Sequence, residues 1–324
     1  MLLVALPVLL FILGVTGFGY YGVYIAPLKQ PVVRVNDTVF TMADYLERLR
    51  YWEAENKIYG RKTDYSVDPF QLLDDFRDNE LIREGSPRMG ATVTDAEITQ
   101  ALKERLDALP KEGEQATDEE VNRRFQELYK QRLSQVNLSD AKYRQVVTEY
   151  VLKDKLREIL SVRVPAVAEQ VHVLVIKVAD DQGVQDVQKR LNAGEDFGAV
   201  AKDASQDEET KSNRGDLGWL PRRALDPAFD DVAFTQSLGT VSQPFWMQQG
   251  FWIIKILERE AVRKVEGTAR EKLKDRALQD WLDEEQKQNR VERYFDSDRY
   301  EYVLNKLKEY RRPDQNTNAP VNNG

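Results

Sequence analysis

Lys29 carries the first charged side chain of this 324-residue chain; the 28 residues before it have none. Residues 2–26 form an apolar run without a polar face. As a helix rising 1.5 Å per residue the run can cross a bilayer, which takes about 20 apolar residues. Tyr20, Tyr21 and Tyr24 gather at its C-terminal end, where interfacial aromatics belong. A cleaved signal peptide is the rival, but its apolar core is only about 7–15 residues and ends in small residues. Tyr24-Ile-Ala-Pro27 is a poor cleavage site, so the expectation is an uncleaved single-pass anchor. Lys29 and Arg34 follow the run and no basic residue precedes it, so a positive-inside count keeps the rest of the chain cytoplasmic. Large domains, however, cross largely regardless of charge, and the residues alone leave orientation open. The missing basic start points to a natural N-terminus further upstream.

The length fits two folded units at roughly 150 residues each. Lys plus Arg is 47 against 55 Asp plus Glu, a net charge of −8. With no basic stripe either, nucleic acid is not an expected partner. There is no cysteine and one histidine, His172. That removes disulfides, thiol nucleophiles, iron–sulfur clusters and every multi-histidine metal site. No metal and no cofactor are expected.

Residues 31–40 read as an extended pair around an Asn36-Asp37 turn. Capping-box spacing then opens helix after helix: Thr41 with Asp44, Thr94 with Glu97, Thr117 with Glu120. Asp68-Pro69 marks another start. Behind these starts, apolar residues recur at helical spacing, including Ile98, Leu102, Leu106 and Leu109. A long helix from Ser139-Asp140 to Leu160 closes at Val164-Pro165. Residues 29–165 are thus expected to form a mainly helical domain, with these stripes as its core.

From residue 166 to 261 the pattern changes. Residues 170–178 are β-branched and dense and read as a buried strand. Val171, Val173 and Val175 lie on one face, His172, Leu174 and Ile176 on the other. Helices are expected at 183–193 and 196–203, a short one at 226–234, and strands at 241–247 and 251–258. Arg214-Gly215-Asp216 spells an adhesion tripeptide but reads as a structural turn. Strand, helices and strands make a small α+β unit.

The run from VHVLVIKV through AGEDFGAVAKDASQDEETKSNRGDLGWL, DPAFDDVAF, LGTVSQPF and QQGFWIIKI resembles a parvulin-type (PpiC-like) peptidyl-prolyl isomerase domain. Its most specific pieces are Gly194-x-x-Phe197 with Ala201 and Ser205, and Gly215-Asp-Leu-Gly218. Phe229 with Phe234, and Gly239-x-Val-Ser242 with Pro244, add to them. The flanking helices resemble the chaperone arms of SurA- and PrsA-type foldases. The resemblance implies catalytic roles for His172, at the place of a first active-site histidine, and for Asp207. It implies that Leu217, Leu225, Asp226, Phe229, Phe234, Gln249 and Trp252 line the substrate site. Trp252 stands where a second histidine is typical, and Gln249 where a Ser or Thr is common.

Residues 262–311 return to helix and, by the same resemblance, pack back on the N-terminal helices, leaving the isomerase domain as an insertion. Residues 312–324, rich in Asn and Pro, are expected to be disordered. The fold class implied is α+β: a transmembrane helix at 1–28, a helical SurA-like domain, an inserted parvulin domain with a small antiparallel sheet, and a C-terminal helix. The partners implied are unfolded or nascent secreted polypeptides containing X–Pro bonds, with the lipid bilayer met through residues 2–26. The location implied is extracytoplasmic. Two functions stay open: an active isomerase with chaperone arms, or a holdase whose parvulin fold is kept for client binding.

Overall fold

The computed structural model describes residues 18–65, 68–247 and 250–310. The chain divides into two units, one drawn from Met1–Lys155 with Leu282–Gly324, the other Leu156–Trp281. Among the described residues no helix is long and apolar enough to cross a membrane. Of the expected anchor, residues 2–17 lie outside the described residues. Residues 18–20 are helical and Tyr21–Ile25 continue as a π-helix, with the Tyr20 and Tyr24 rings stacked at 5.0 Å. The expected disordered tail, residues 312–324, also lies outside the described residues.

In the first unit, β1 (Pro31–Val35) pairs with β2 (Thr38–Thr41) across the Asn36-Asp37 turn. On its other edge it pairs with β7 (Val291–Arg293), a strand the sequence reading missed. Asn36 is the clasp between these distant pieces of chain. Its φ is +50°, a left-handed value that Asn tolerates better than residues with a larger Cβ substituent. Its amide donates to Glu84 at 2.6 Å and Asn289 at 2.8 Å, while its Oδ1 accepts from the Arg290 backbone at 3.0 Å. Asn36→Ala is therefore expected to destabilise this unit by about 2 kcal/mol, combining the left-handed cost with lost hydrogen bonds. Urea unfolding checks the value.

Helices α1 (Met42–Ile58), α3 (Asp95–Arg105) and α4 (Asp118–Val136) open on the three capping boxes, each formed in both directions. Such a cap contributes about 1 kcal/mol. The cap of α2 (Asp68–Gly85) falls among residues outside the description. Helix α5 (Asp140–Leu160) and the C-terminal α10 (Ser297–Tyr310) match expectation. Leu109 does not extend α3: the helix ends at Arg105, and Leu109 precedes Pro110, which disfavours helical backbone. Leu102, Phe125, Tyr129, Tyr143 and Val147 share one buried cluster. Beside it, buried Glu55 is held by Arg105 at 3.0 Å and Arg132 at 3.2 Å.

The second unit is built on a four-stranded antiparallel sheet of order β4-β3-β6-β5. Its strands are β3 (Val167–Val178), β4 (Asp216–Pro221), β5 (Phe245–Met247) and β6 (Gly250–Lys264). Helices α6 (Asp181–Asn192) and α7 (Phe197–Ala204) follow β3, and α8 (Pro227–Ala233) follows β4. Helix α9 (Gly267–Gln288) comes after β6. The division between the units falls inside α5 and α9. Strand β4 reads as a turn in sequence because Gly and Pro punctuate it, which an edge strand permits. Strand β5 is shorter than expected, since Pro244 has no N–H to give the ladder. Upstream, Ser242 bridges to Ile254 instead: its N–H reaches the Ile254 carbonyl at 2.8 Å and its Oγ accepts the Ile254 N–H at 3.0 Å.

Candidate functional site

Side chains alternate along β3 and divide the second unit into two faces. Val171, Val173 and Val175 pack with Leu220, Phe229, Phe234, Trp252, Ile254 and Ile256. Ile176 and Val178 pack on the other side with Val184, Phe197 and Val200 under α6 and α7. Leu217 and Leu225 are half-buried against the first cluster. The sequence therefore brings five of its candidates, Leu217, Leu225, Phe229, Phe234 and Trp252, into one apolar cluster.

The β4–α8 connection positions two of them. Asp226 caps α8, accepting the Ala228 N–H at 2.9 Å, with Pro227 at the first helical position. That fixes the helix carrying Phe229, whose ring is fully buried. Asp226 is thus engaged with backbone, and Asp226→Ala is expected to cost the unit about 1 kcal/mol, read by thermal unfolding. Phe234 ends α8 and carries the Arg222 guanidinium 4.1 Å above its ring. On the same helix, burial pushes the Asp230 carboxyl above its usual range, while the Arg223 N–H it accepts acts against that rise.

Trp252 is buried and its indole N–H donates inward to the Met247 carbonyl at 2.7 Å. Lys177 lies over that ring at 5.6 Å. The Lys177 stem crosses Gly250 so closely that a Cβ there would sit 2.9 Å from Cε. Asp207 belongs to the loop after α7, which hangs on the end of β3. The Lys177 N–H donates to Ser205 Oγ at 3.2 Å, and Gln206 N–H donates to the Lys177 carbonyl at 2.8 Å. The Asp207 carboxylate itself accepts from the Thr210 hydroxyl.

His172 is not brought into the apolar cluster. By register it pairs with Trp219 and Glu258 on the opposite side of β3 from Val171 and Val173. Its Nε2 lies 2.9 Å from Asp216 Oδ1; a carboxylate accepts, so this nitrogen donates. The ring stacks on Trp219 at 5.5 Å, and Nδ1 is 3.8 Å from Glu258. Gln249 lies outside the described residues. Val175 was placed on the strand's face but not at the site, and Lys177, Phe245 and Met247 were not singled out from sequence. The period-2 alternation held the signal for the first two, since it places Val173, Val175 and Lys177 together and His172 apart.

The apolar cluster offers burial and exclusion of water, with the Lys177 ammonium over its Trp252 ring. Phe229, Phe234 and Trp252 are buried in it, and Leu217 and Leu225 are its half-buried members. Among the described residues no cluster of metal-ligating side chains occurs.

Residues 177–258 match the PPIC-type PPIASE domain, and residues 1–157 match the SurA-like N-terminal domain. His172 lies ahead of the first match. The chain is 36% identical over 125 residues to the foldase protein PrsA of Caldanaerobacter subterraneus, covering 37% of this chain and 41% of that one. It is 31% identical over 157 residues to the PrsA of Geobacillus kaustophilus, covering 44% and 56%. It is 32% identical over 133 residues to the chaperone SurA of Pseudomonas aeruginosa, covering 36% and 32%. The chain thus spans about half the length, or less, of these curated relatives.

Proposed function

We propose that this chain, which joins a PPIC-type domain to a SurA-like helical unit, catalyses cis–trans isomerisation of X–Pro bonds in unfolded polypeptides. The observation that carries the reading is the apolar face of Leu217, Leu225, Phe229, Phe234 and Trp252, which lies wholly within the PPIC-type match. Rotation about a peptide bond faces a barrier of about 18–20 kcal/mol. For X–Pro bonds the exchange takes tens to hundreds of seconds, by about the same barrier. No bond is broken, so neither nucleophile nor cofactor is needed. The planar amide owes its large dipole to resonance; the twisted amide has lost that resonance and much of the dipole. A dry apolar pocket therefore disfavours the planar forms more than the twisted one, and each 1.4 kcal/mol or so of that difference is tenfold in rate.

The helical unit is assigned client binding, and residues 2–26 a membrane anchor that leaves the rest of the chain outside the cytoplasm. The charge-free run, with Phe18, Tyr20, Tyr21 and Tyr24 exposed towards its C-terminal end, supports the anchor. The test of the isomerase is exchange NMR on an X–Pro peptide with catalytic amounts of the full chain. Accelerated cis–trans exchange is the expected result, and exchange at the uncatalysed rate contradicts it.

A second reading has its own support. The only imidazole of the chain, His172, points away from the apolar face, and the Trp252 N–H is spent internally. On that reading the domain binds proline-containing segments without turning them. Suppressed aggregation of an unfolded client, with no exchange acceleration, is its signature.

A further inference from the structure

On the second unit, away from Leu217 and Trp252, a groove of about 480 Å³ runs between the start of β3, the turn after β4 and helix α9. Its apolar lining is Val164, Pro165, Ala168, Pro221, Leu273 and Ala277. Four arginines stand around it, Arg163, Arg222, Arg223 and Arg276, against two carboxylates, Glu169 and Asp280. Asp280 is shared by Arg223 and Arg276, and Glu169 pairs with Arg222. Arg163 is exposed and has no ion pair among the described residues. The groove therefore carries a surplus of two positive charges on a chain whose net charge is −8.

We propose that this groove binds an extended, acidic polypeptide segment in which carboxylates alternate with aliphatic side chains. The apolar lining takes the aliphatic groups, and the guanidinium rim takes the carboxylates, which it can hold by paired N–H donors. The volume suits two or three side chains rather than a folded partner. The groove also touches the isomerase core: Val164 and Leu273 belong to the same buried cluster as Phe229 and Trp252, and Arg222 covers Phe234. A client held here by an acidic stretch keeps its neighbouring prolines at high local concentration beside the apolar face. That the partner is an unfolded chain rests on the foldase reading; the groove and its charge do not.

Fluorescence anisotropy of the full chain with a labelled, proline-free peptide alternating Leu with Asp or Glu tests the proposal. Without proline the probe reports nothing about isomerisation, so the two readings fail separately. The acidic peptide is expected to bind at least tenfold more tightly than versions carrying Gln or Lys at the acidic positions, and to weaken as salt rises. Arg163→Glu, which breaks no ion pair, and Ala277→Trp, which fills the groove, are each expected to weaken it at least tenfold. Should Ala277→Trp fail to fold, Arg163→Glu decides. Equal binding of the Gln peptide, or unchanged affinity in Arg163→Glu, overturns the proposal.

Discussion

Gly215→Ala is expected to melt the second unit by at least roughly 10 °C below wild type while leaving the helical unit intact. Gly215 has φ +82°, and a Cβ there would lie 2.4 Å from the Val175 carbonyl oxygen and 2.8 Å from Ala201 Cβ. The left-handed backbone alone costs a residue with a Cβ about 1–2 kcal/mol. The clash adds to it and has no cheap relief. Val175 sits in the central strand, and its N–H already bonds the Gly215 carbonyl at 2.8 Å. At a few degrees per kcal/mol the loss is easily read. Tryptophan fluorescence suits the measurement, since only Trp52 of the five tryptophans lies outside residues 156–281. Gly239→Ala is the control: its φ is +74° but nothing lies within 4 Å of the added Cβ, so only the backbone cost applies. Equal melting of the two variants would contradict the account of Gly215.

The second large effect is on rate. Leu225→Asp is expected to slow catalysed X–Pro exchange at least tenfold, with little change in the melting temperature. Leu225 is half-buried at the edge of the cluster, so a carboxylate there can still reach water in the free protein. With a proline ring seated against it, that charge loses its water, and burying an unpaired charge is costly. The variant thus taxes the bound state and spares the fold. Leu225→Met, similar in volume and apolar, is expected to keep most of the rate. A Leu225→Asp chain that exchanges the peptide as fast as wild type places the proline elsewhere.

Local chemistry made much of the fold legible. Three capping boxes, the Asn36-Asp37 turn and the dense β-branched run each mark an element through contacts within a few residues. What escaped was set at a distance. Strand β7 is three residues long and exists because β1 has an edge to fill. Strand β6 runs on to Lys264 because β3 begins at Val167, opposite it. Leu109 carried the right side chain for α3 but stood before a proline.

The apolar residues that the resemblance names, Leu217, Leu225, Phe229, Phe234 and Trp252, share one buried cluster, as their strand and helix spacing allows. The resemblance gives His172 a catalytic role, whereas strand parity separates it from Val173 and Val175. The ring lies with Asp216 and Trp219. Lys177 went unnoticed because a lysine late in a strand usually marks solvent. Its place over Trp252 depends on Gly250, 73 residues further on.

On the reading proposed above, the apolar cluster turns the X–Pro bond without an imidazole. Exchange NMR of an X–Pro peptide with the full-length His172→Ala chain tests it most directly. A catalysed rate within about twofold of wild type is expected, because the ring faces Asp216 and Trp219 on the other side of the strand. A tenfold or greater loss in a variant that still melts like wild type, about 1.4 kcal/mol of lost barrier lowering, would put the histidine in the reaction and contradict it.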